Sequence, residues 1–451
     1  GAVKPSEITG LTLTTQRCTM VCLDATDRVL RPAILWLDQR RCDAPPPLGA
    51  AWSTLFALAG ASTLVAHFQR EAEANWLAQY EPALWRQTKK YLFLSGYLSY
   101  RLTGDFVDSV GGQVGYVPFD YKRLAWAKHG DWKWRAVAVR PDQLPRLVAP
   151  GQSLGVLSRM ASEELGLPPR LPVIAAAADK ACEVLGSGAL EPDVAALSFG
   201  TTATINTTQD RYVEVQRMLP AYPAAMPNAW NTEVQIYRGF WMVSWFKREF
   251  AHREQALAAE RGVAVEALFD ELVKNVPPGS MGLMLQPYWS PGVRDPGPEA
   301  KGGIIGFGDV HTRAHFYRAI LEGLIYGLRA GGEQIEKKIG RRIRSLRVSG
   351  GGSQSDQAMQ ITADVFGRVA ERPEIYETSA LGAAINAAVG LGLHPDYPTA
   401  VRAMTRVGQR FEPEPAAVKL YDALYREVYQ QMYAQLKPLY QRIRAITGYP
   451  R

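Results

Sequence analysis

One acid and two glycine turns in this chain have the types and spacing for phosphate chemistry. Asp179 follows "PVIAAAA", an apolar run that reads as strand Val173–Ala178, with a helix from Lys180. Carboxylates are seldom buried without a partner or a task. At the carboxyl end of a strand, where α/β folds place ligands, Asp179 could accept a proton from a substrate hydroxyl. The plainer alternative is a helix cap. Further on, Gly200, Thr201 and Thr202 form the tip of a hairpin, "VAALSFGTTATINTT". Backbone N–H groups and two hydroxyls converge there without a bulky Cβ, which suits phosphate oxygens, although such turns also occur as simple connections. In "VSGGGSQSD" (Val348–Asp356), Gly350, Gly351 and Gly352 join an apolar strand to a helix. A charged or flat ligand could lie against that backbone with a helix N-terminus behind it. The spacing is neither Gly-x-Gly-x-x-Gly nor a Walker loop.

The elements that must position these groups alternate. Residues 50–103 read as mostly helical; "WRQTKKYLFLSGYLSYRLTG" keeps apolar positions at helical spacing and Gly104 stops it. Val114 to Pro168 is rich in turns. "HTRAHFYRAILEGLIYGLRAGGEQIEKKI" is a long amphipathic helix with Ile320, Leu324 and Leu328 on one face. A tail helix from Ala416 carries Tyr421, Tyr425, Tyr429 and Tyr433 as a packing stripe, and Pro438 kinks or ends it. The mixture is α/β, and the length of 451 residues predicts two domains, divided as 1–189 and 190–451.

With 51 basic and 44 acidic residues, the net charge of +7 is mild. It would suit an anionic small molecule; there is no basic tail to expect nucleic acid. Lys337, Lys338, Arg341, Arg342 and Arg344 read as a solvated helix end. Cys18, Cys22, Cys42 and Cys182 show neither a disulfide framework nor metal-ligand spacing, so free thiols in a reducing, cytoplasmic setting are expected. No signal peptide and no membrane-spanning run are expected.

The order of these pieces then matters more than any one of them. Gln16-Arg17, "ILWLD", Asp179, Gly-Thr-Thr, "PYWSPGVRDP" and Ser-Gly-Gly-Gly follow one another as in the FGGY carbohydrate kinases, which this chain resembles over essentially its whole length. "LRPAILWLDQR" is similar to the segment leading to that family's sugar-site tryptophan. "AADKACEVLGSGALEPDVAALSFGTT" is similar to its catalytic acid and second phosphate loop, and "GGIIGFGDVHTRAHFYRAILEG" to its long second signature. "LRVSGGGSQSDQAMQITADVFGRVAERPEIYETSALGAAINAAVGLG" is similar to its adenosine segment.

The resemblance implies two actin-like (ribonuclease H-like) ATPase domains around a cleft that closes on substrate. It also implies ATP with Mg²⁺ as cofactors and a sugar or polyol as substrate. Asp179 would be the general base. Gln16, Arg17, Trp36, Lys180 and Phe68 fall on substrate-contacting positions. Gly200, Thr201 and Thr202 would cradle phosphates, Gly350, Gly351, Gly352 and Ser355 would line the adenosine side, and Gly292 falls one residue from another nucleotide-contacting glycine. No Mg²⁺ ligand set is visible, the sugar stays unnamed, and a homodimer is allowed for.

The chain departs from the family pattern at four places. Ala175–Ala178 replace a glycine-rich run, Lys180 stands where Gln or Asn is usual, and Cys18 stands where His, Glu or Asp is common. The Asp-x-Gly-Thr first phosphate loop is missing from the start, so the first domain is expected to be N-terminally incomplete. A non-catalytic sugar- or nucleotide-binding regulator on the same fold is therefore the rival expectation. A sugar-nucleotide or acyl-transfer enzyme is a third, for which the sequence shows no nucleophile.

Overall fold

The computed structural model describes residues 3–216, 219–292 and 296–449; residues 293–295 of the "PYWSPGVRDP" stretch lie outside these. The chain forms two units. The first comprises Gly1–Gly188, Thr208–Asn231 and Thr378–Met404; the second comprises Ala189–Thr207, Thr232–Glu377 and Thr405–Arg451.

In the first unit, strand β1 (Leu11–Leu13) brings the Thr14–Cys18 segment to the acid, because it pairs with the strand that leads to Asp179. Strands β2 (Met20–Leu23) and β3 (Lys90–Phe93) pair antiparallel, Met20 opposite Phe93. Their inner residues Met20, Cys22, Tyr91 and Phe93 join Ile34, Leu77 and Phe119 in one core cluster. Strand β3 corrects the sequence expectation of continuous helix here. A continuous apolar run does not distinguish strand from helix by period, and the available edge of β2 decides it. The helix begins only at Leu94 and runs to Thr103, and Gly104 stops it at φ +85° as expected.

Strand β4 (Ser153–Val156) pairs antiparallel, and β1 parallel, with β5 (Pro172–Ala175). Strand β5 ends three residues before the expected Ala178. The next backbone groups bond to a turn instead: Ser109 Oγ donates to Ala176 O, Thr14 Oγ1 to Ala177 O at 2.8 Å, and Ala178 N to Gly111 O at 3.0 Å.

In the second unit, β6 (Val194–Phe199) and β7 (Ala203–Gln209) form the expected hairpin, Phe199 opposite Ala203. With β8 (Trp230–Ile236), β9 (Ser345–Ser349), β10 (Val369–Pro373) and β11 (Val407–Phe411), six strands of a seven-stranded sheet run in the order β8-β7-β6-β9-β10-β11, and the short strand Tyr222–Pro223 lies beside β8. β6, β9 and β10 run parallel, so β6 and β9 deliver both glycine turns at the same sheet end. The long helix spans Arg313–Ile339 with Ile320, Leu324 and Leu328 fully buried. Its Glu322 carboxylate, itself buried, accepts from Gly279 N, Ser280 Oγ, Arg318 Nε and Tyr421 Oη at 2.7–2.9 Å. That network pins an unusual turn in which Gly279, Ser280, Met281 and Gly282 all have positive φ, from 50° to 90°.

The tail helix starts at Pro415, and Tyr421, Tyr425 and Tyr429 are buried against Tyr326. Pro438 neither ends nor begins an element: the helix continues to Thr447, and the irregular turn is a π-helical one at Leu424–Tyr429. No helix among the described residues is long and apolar enough to cross a membrane.

Candidate active site

In the first unit, Asp179 opens the helix Asp179–Gly186. Its N–H donates to Thr15 O at 2.9 Å, and its carboxylate accepts from Lys180 N at 2.7 Å. The approach is built from small residues. A Cβ on Gly111 would fall 2.6 Å from that of Ala177, so alanine takes the place of glycine only because its partner is glycine. The turn at Ser109–Gly112 is held by Asp108, a fully buried carboxylate that accepts from Ser95 Oγ, Gln113 Nε2 and Ser109 N at 2.7–2.8 Å. Burial pushes Asp108 up to about 6. The Asp179 helix is also locked from behind. A Cβ on Gly186 would meet Thr378 O at 2.0 Å, and one on Gly382 would meet Cys182 O at 1.9 Å. The helix Thr378–Gly390, read from sequence as the end of the adenosine segment, thus packs on the helix of the acid within the first unit.

Burial raises Asp179 above the ordinary carboxylate range, and the Arg17 guanidinium is the strongest influence drawing it back. Arg17 lies over the Tyr222 ring at 4.9 Å. Arg17, Asp179 and Lys180 are therefore brought together. Gln16 instead directs its amide to Thr19 Oγ1 at 2.8 Å. Cys18, at φ +50°, donates its thiol to Val114 O at 3.2 Å, and burial pushes that thiol up to about 12. It stays a neutral thiol at physiological pH. Trp36 is 45% exposed, whereas Phe68 packs edge-on to Tyr116 and Trp132.

In the second unit, the hairpin tip meets the start of the helix Trp241–Phe250: Phe240 N donates to Gly200 O at 3.0 Å and Trp241 N to Thr201 O at 3.4 Å. In a trans peptide the next N–H points opposite to the carbonyl. The N–H groups of Thr201 and Thr202 therefore both turn away from that helix, a pair of donors suited to an anion. The other turn lies alongside. A Cβ on Gly350, at φ +85°, would lie 3.1 Å from the Phe199 backbone, and Gly352 packs on Phe240, which stacks on Phe199 at 4.3 Å between centroids.

Only the middle glycine, Gly351, has nothing within 4 Å of its Cβ position. It is the open point of the cradle. Ser355 caps the helix Asp356–Phe366, accepting from Ala358 N at 3.1 Å, and donates to Asp270. Asp270 also accepts from Asp356 N at 2.9 Å. This helix N-terminus is occupied by a side chain of the protein itself. A Cβ on Gly292 would lie 2.2 Å from Pro296 O, so its glycine serves a local turn.

Two polar residues have no place in the sequence reading. Asp270 gives no local signal, being 85 residues from Ser355. Glu183 does: it lies three residues after Lys180 on one helix, and its carboxylate accepts from Lys180 Nζ at 2.6 Å. Among the described residues, no three of His, Cys, Asp and Glu gather as metal ligands.

A mixed sheet that presents two glycine turns at one end, with a separate unit carrying a half-buried acid flanked by cations, is an arrangement that suits a nucleotide-dependent transferase of the actin-like class. Residues 2–186 match the model of the N-terminal domain, and 195–391 that of the C-terminal domain, of the FGGY family of carbohydrate kinases. The chain is 33% identical over 351 residues to the "Uncharacterized sugar kinase YgcE" of Escherichia coli, covering 75% of this chain and 68% of that protein. It is 27% identical over 438 residues to a xylulose kinase of Lactococcus lactis, covering 95% and 83%. Among solved structures, the xylulose kinase of Rhodospirillum rubrum superposes with a TM-score of 0.77 at 25% identity, covering 96% of this chain and 85% of that one. The ligand-bound xylulose kinase of Lactobacillus acidophilus superposes with a TM-score of 0.76 at 20% identity, covering 99% and 86%. The chain belongs to the FGGY family and is a carbohydrate kinase with the two-domain actin-like ATPase fold.

Proposed function

We propose that the chain transfers the γ-phosphoryl group of ATP to a hydroxyl of a sugar or polyol, with Asp179 as general base. Asp179 takes the hydroxyl proton as that oxygen attacks the γ-phosphorus. The new O–P bond forms while the bond to the β-phosphate oxygen breaks, and ADP leaves. Residues 1–189 would hold the sugar, through Arg17, Lys180, Gln16, Trp36 and Phe68. Residues 190–451 would hold the nucleotide, with the N–H groups at Thr201 and Thr202 on phosphate and Gly351 leaving room beside them. Mg²⁺, when bound with the nucleotide, spreads phosphate charge. The observation that carries this reading is the carboxylate of Asp179, half-buried, locked by its backbone and flanked by Arg17 and Lys180.

The test is ADP release from MgATP across ketoses, polyols and sugar acids, with Asp179→Asn beside the wild type. Sugar-stimulated ADP should fall about 10²- to 10⁴-fold in the variant, with nucleotide affinity kept. Undiminished turnover in Asp179→Asn would remove the acid from this role.

A further inference from the structure

Read from sequence, Arg17 and Lys180 offer two cations to a substrate carboxylate. The structure commits both of them. Lys180 Nζ lies 2.6 Å from Glu183 Oε2, and the Glu183 side chain is only 10% exposed. Both residues sit on the helix Asp179–Gly186, one turn apart, and the contacts at Gly186 and Gly382 fix that helix in place. Arg17 is matched in turn by Asp179, on which it acts more strongly than any other charge, while its guanidinium is stacked on Tyr222. With Asp179 ionised, two cations thus stand beside two carboxylates. A substrate carboxylate would enter as an uncompensated charge next to the base, whereas hydroxyls can both donate to carboxylates and accept from Arg17 and Lys180.

We propose that this site selects an uncharged sugar or polyol over a sugar acid, and that Glu183 sets the choice by holding the charge of Lys180. The proposal rests on the kinase reading above.

The experiment compares kcat/KM for D-xylulose, D-ribulose, xylitol and glycerol with that for D-gluconate and D-xylonate. It uses the full chain as wild type, Glu183→Gln, Lys180→Gln and the double variant. The best neutral substrate should exceed the best acid by about 100-fold in the wild type, as like-charge discrimination gives. Glu183→Gln frees the ammonium and should narrow that ratio about tenfold, and adding Lys180→Gln should restore it. A merely structural Glu183 would lower both classes alike and leave the ratio unmoved, which overturns the proposal, as does a wild type that prefers the acids. Should Glu183→Gln alone not fold, the double variant decides. Removing both charges keeps its ratio within about twofold of wild type if Lys180 is already neutralised, and widens it sharply if Lys180 anchors the substrate carboxylate. A wild type that phosphorylates neither class defeats the kinase reading itself, which a shifted ratio does not touch.

Discussion

The proposed base must be ionised to work, and the surroundings of Asp179 pull in two directions on this point. Burial raises its pKa and Arg17 lowers it. The acid limb of the kcat/KM profile is therefore expected above the ordinary carboxylate range. Arg17→Gln should move it to higher pH still; a limb that stays put would show that another group titrates. Met281 stores backbone strain. It is 53% exposed yet held at φ +54° inside the four-residue left-handed turn. Left-handed geometry costs a residue with a Cβ about 1–2 kcal/mol, so Met281→Gly should raise the urea midpoint, with a gain of about 1 kcal/mol. The sequence marks Asp179 and the Gly-Thr-Thr tip as candidates, because strand ends and glycine turns are punctuated locally. Asp270 stays hidden because its partner Ser355 lies far along the chain.

Glycines separate two kinds of element contact, one that makes the fold and one that leaves space. Gly351→Ala places a methyl where nothing lies within 4 Å. Stability should stay within about 0.5 kcal/mol, while KM for ATP rises if nucleotide lies against that backbone. Gly382→Ala drives a methyl to 1.9 Å from Cys182 O, which is backbone and cannot swing aside. The two helices must part, at a cost of about 1–3 kcal/mol or more. Because one of them begins with Asp179, kcat should fall further than the affinity for ATP, as steady-state kinetics with a thermal melt would show. Elements with strong period, such as the Arg313–Ile339 helix and the β6–β7 hairpin, are legible from sequence. Strand β3 is not, since its four residues, three of them apolar, take their form from β2, far away in sequence. Nor is the π turn at Leu424–Tyr429, which no residue type announces.

For the molecule as a whole, Asp108 ties stability to pH. Its folded pKa of about 6 stands above the ordinary 3.8. Between these values the folded chain holds a proton that the unfolded chain has released, so this contribution falls as pH rises through the window. From pH 4.5 to 7 the wild type should lose about 2 kcal/mol more than Asp108→Asn does, read from urea unfolding at the two pH values. The presence of two halves follows from length and from the order of motifs. Their discontinuity does not, because a helix of small residues carries no mark of the partner it will pack against. That discontinuity bears on how the protein is made. The helix of Asp179 is synthesised early, but its close partner at Gly382 belongs to the returning segment Thr378–Met404. Ribosomes add about 5–20 residues per second, so the 216 residues from Ala189 to Met404 take roughly 10–40 s to follow. During that interval the nascent first unit presents an unfilled small-residue groove, and it is then that chaperones, rather than substrate, would find it open.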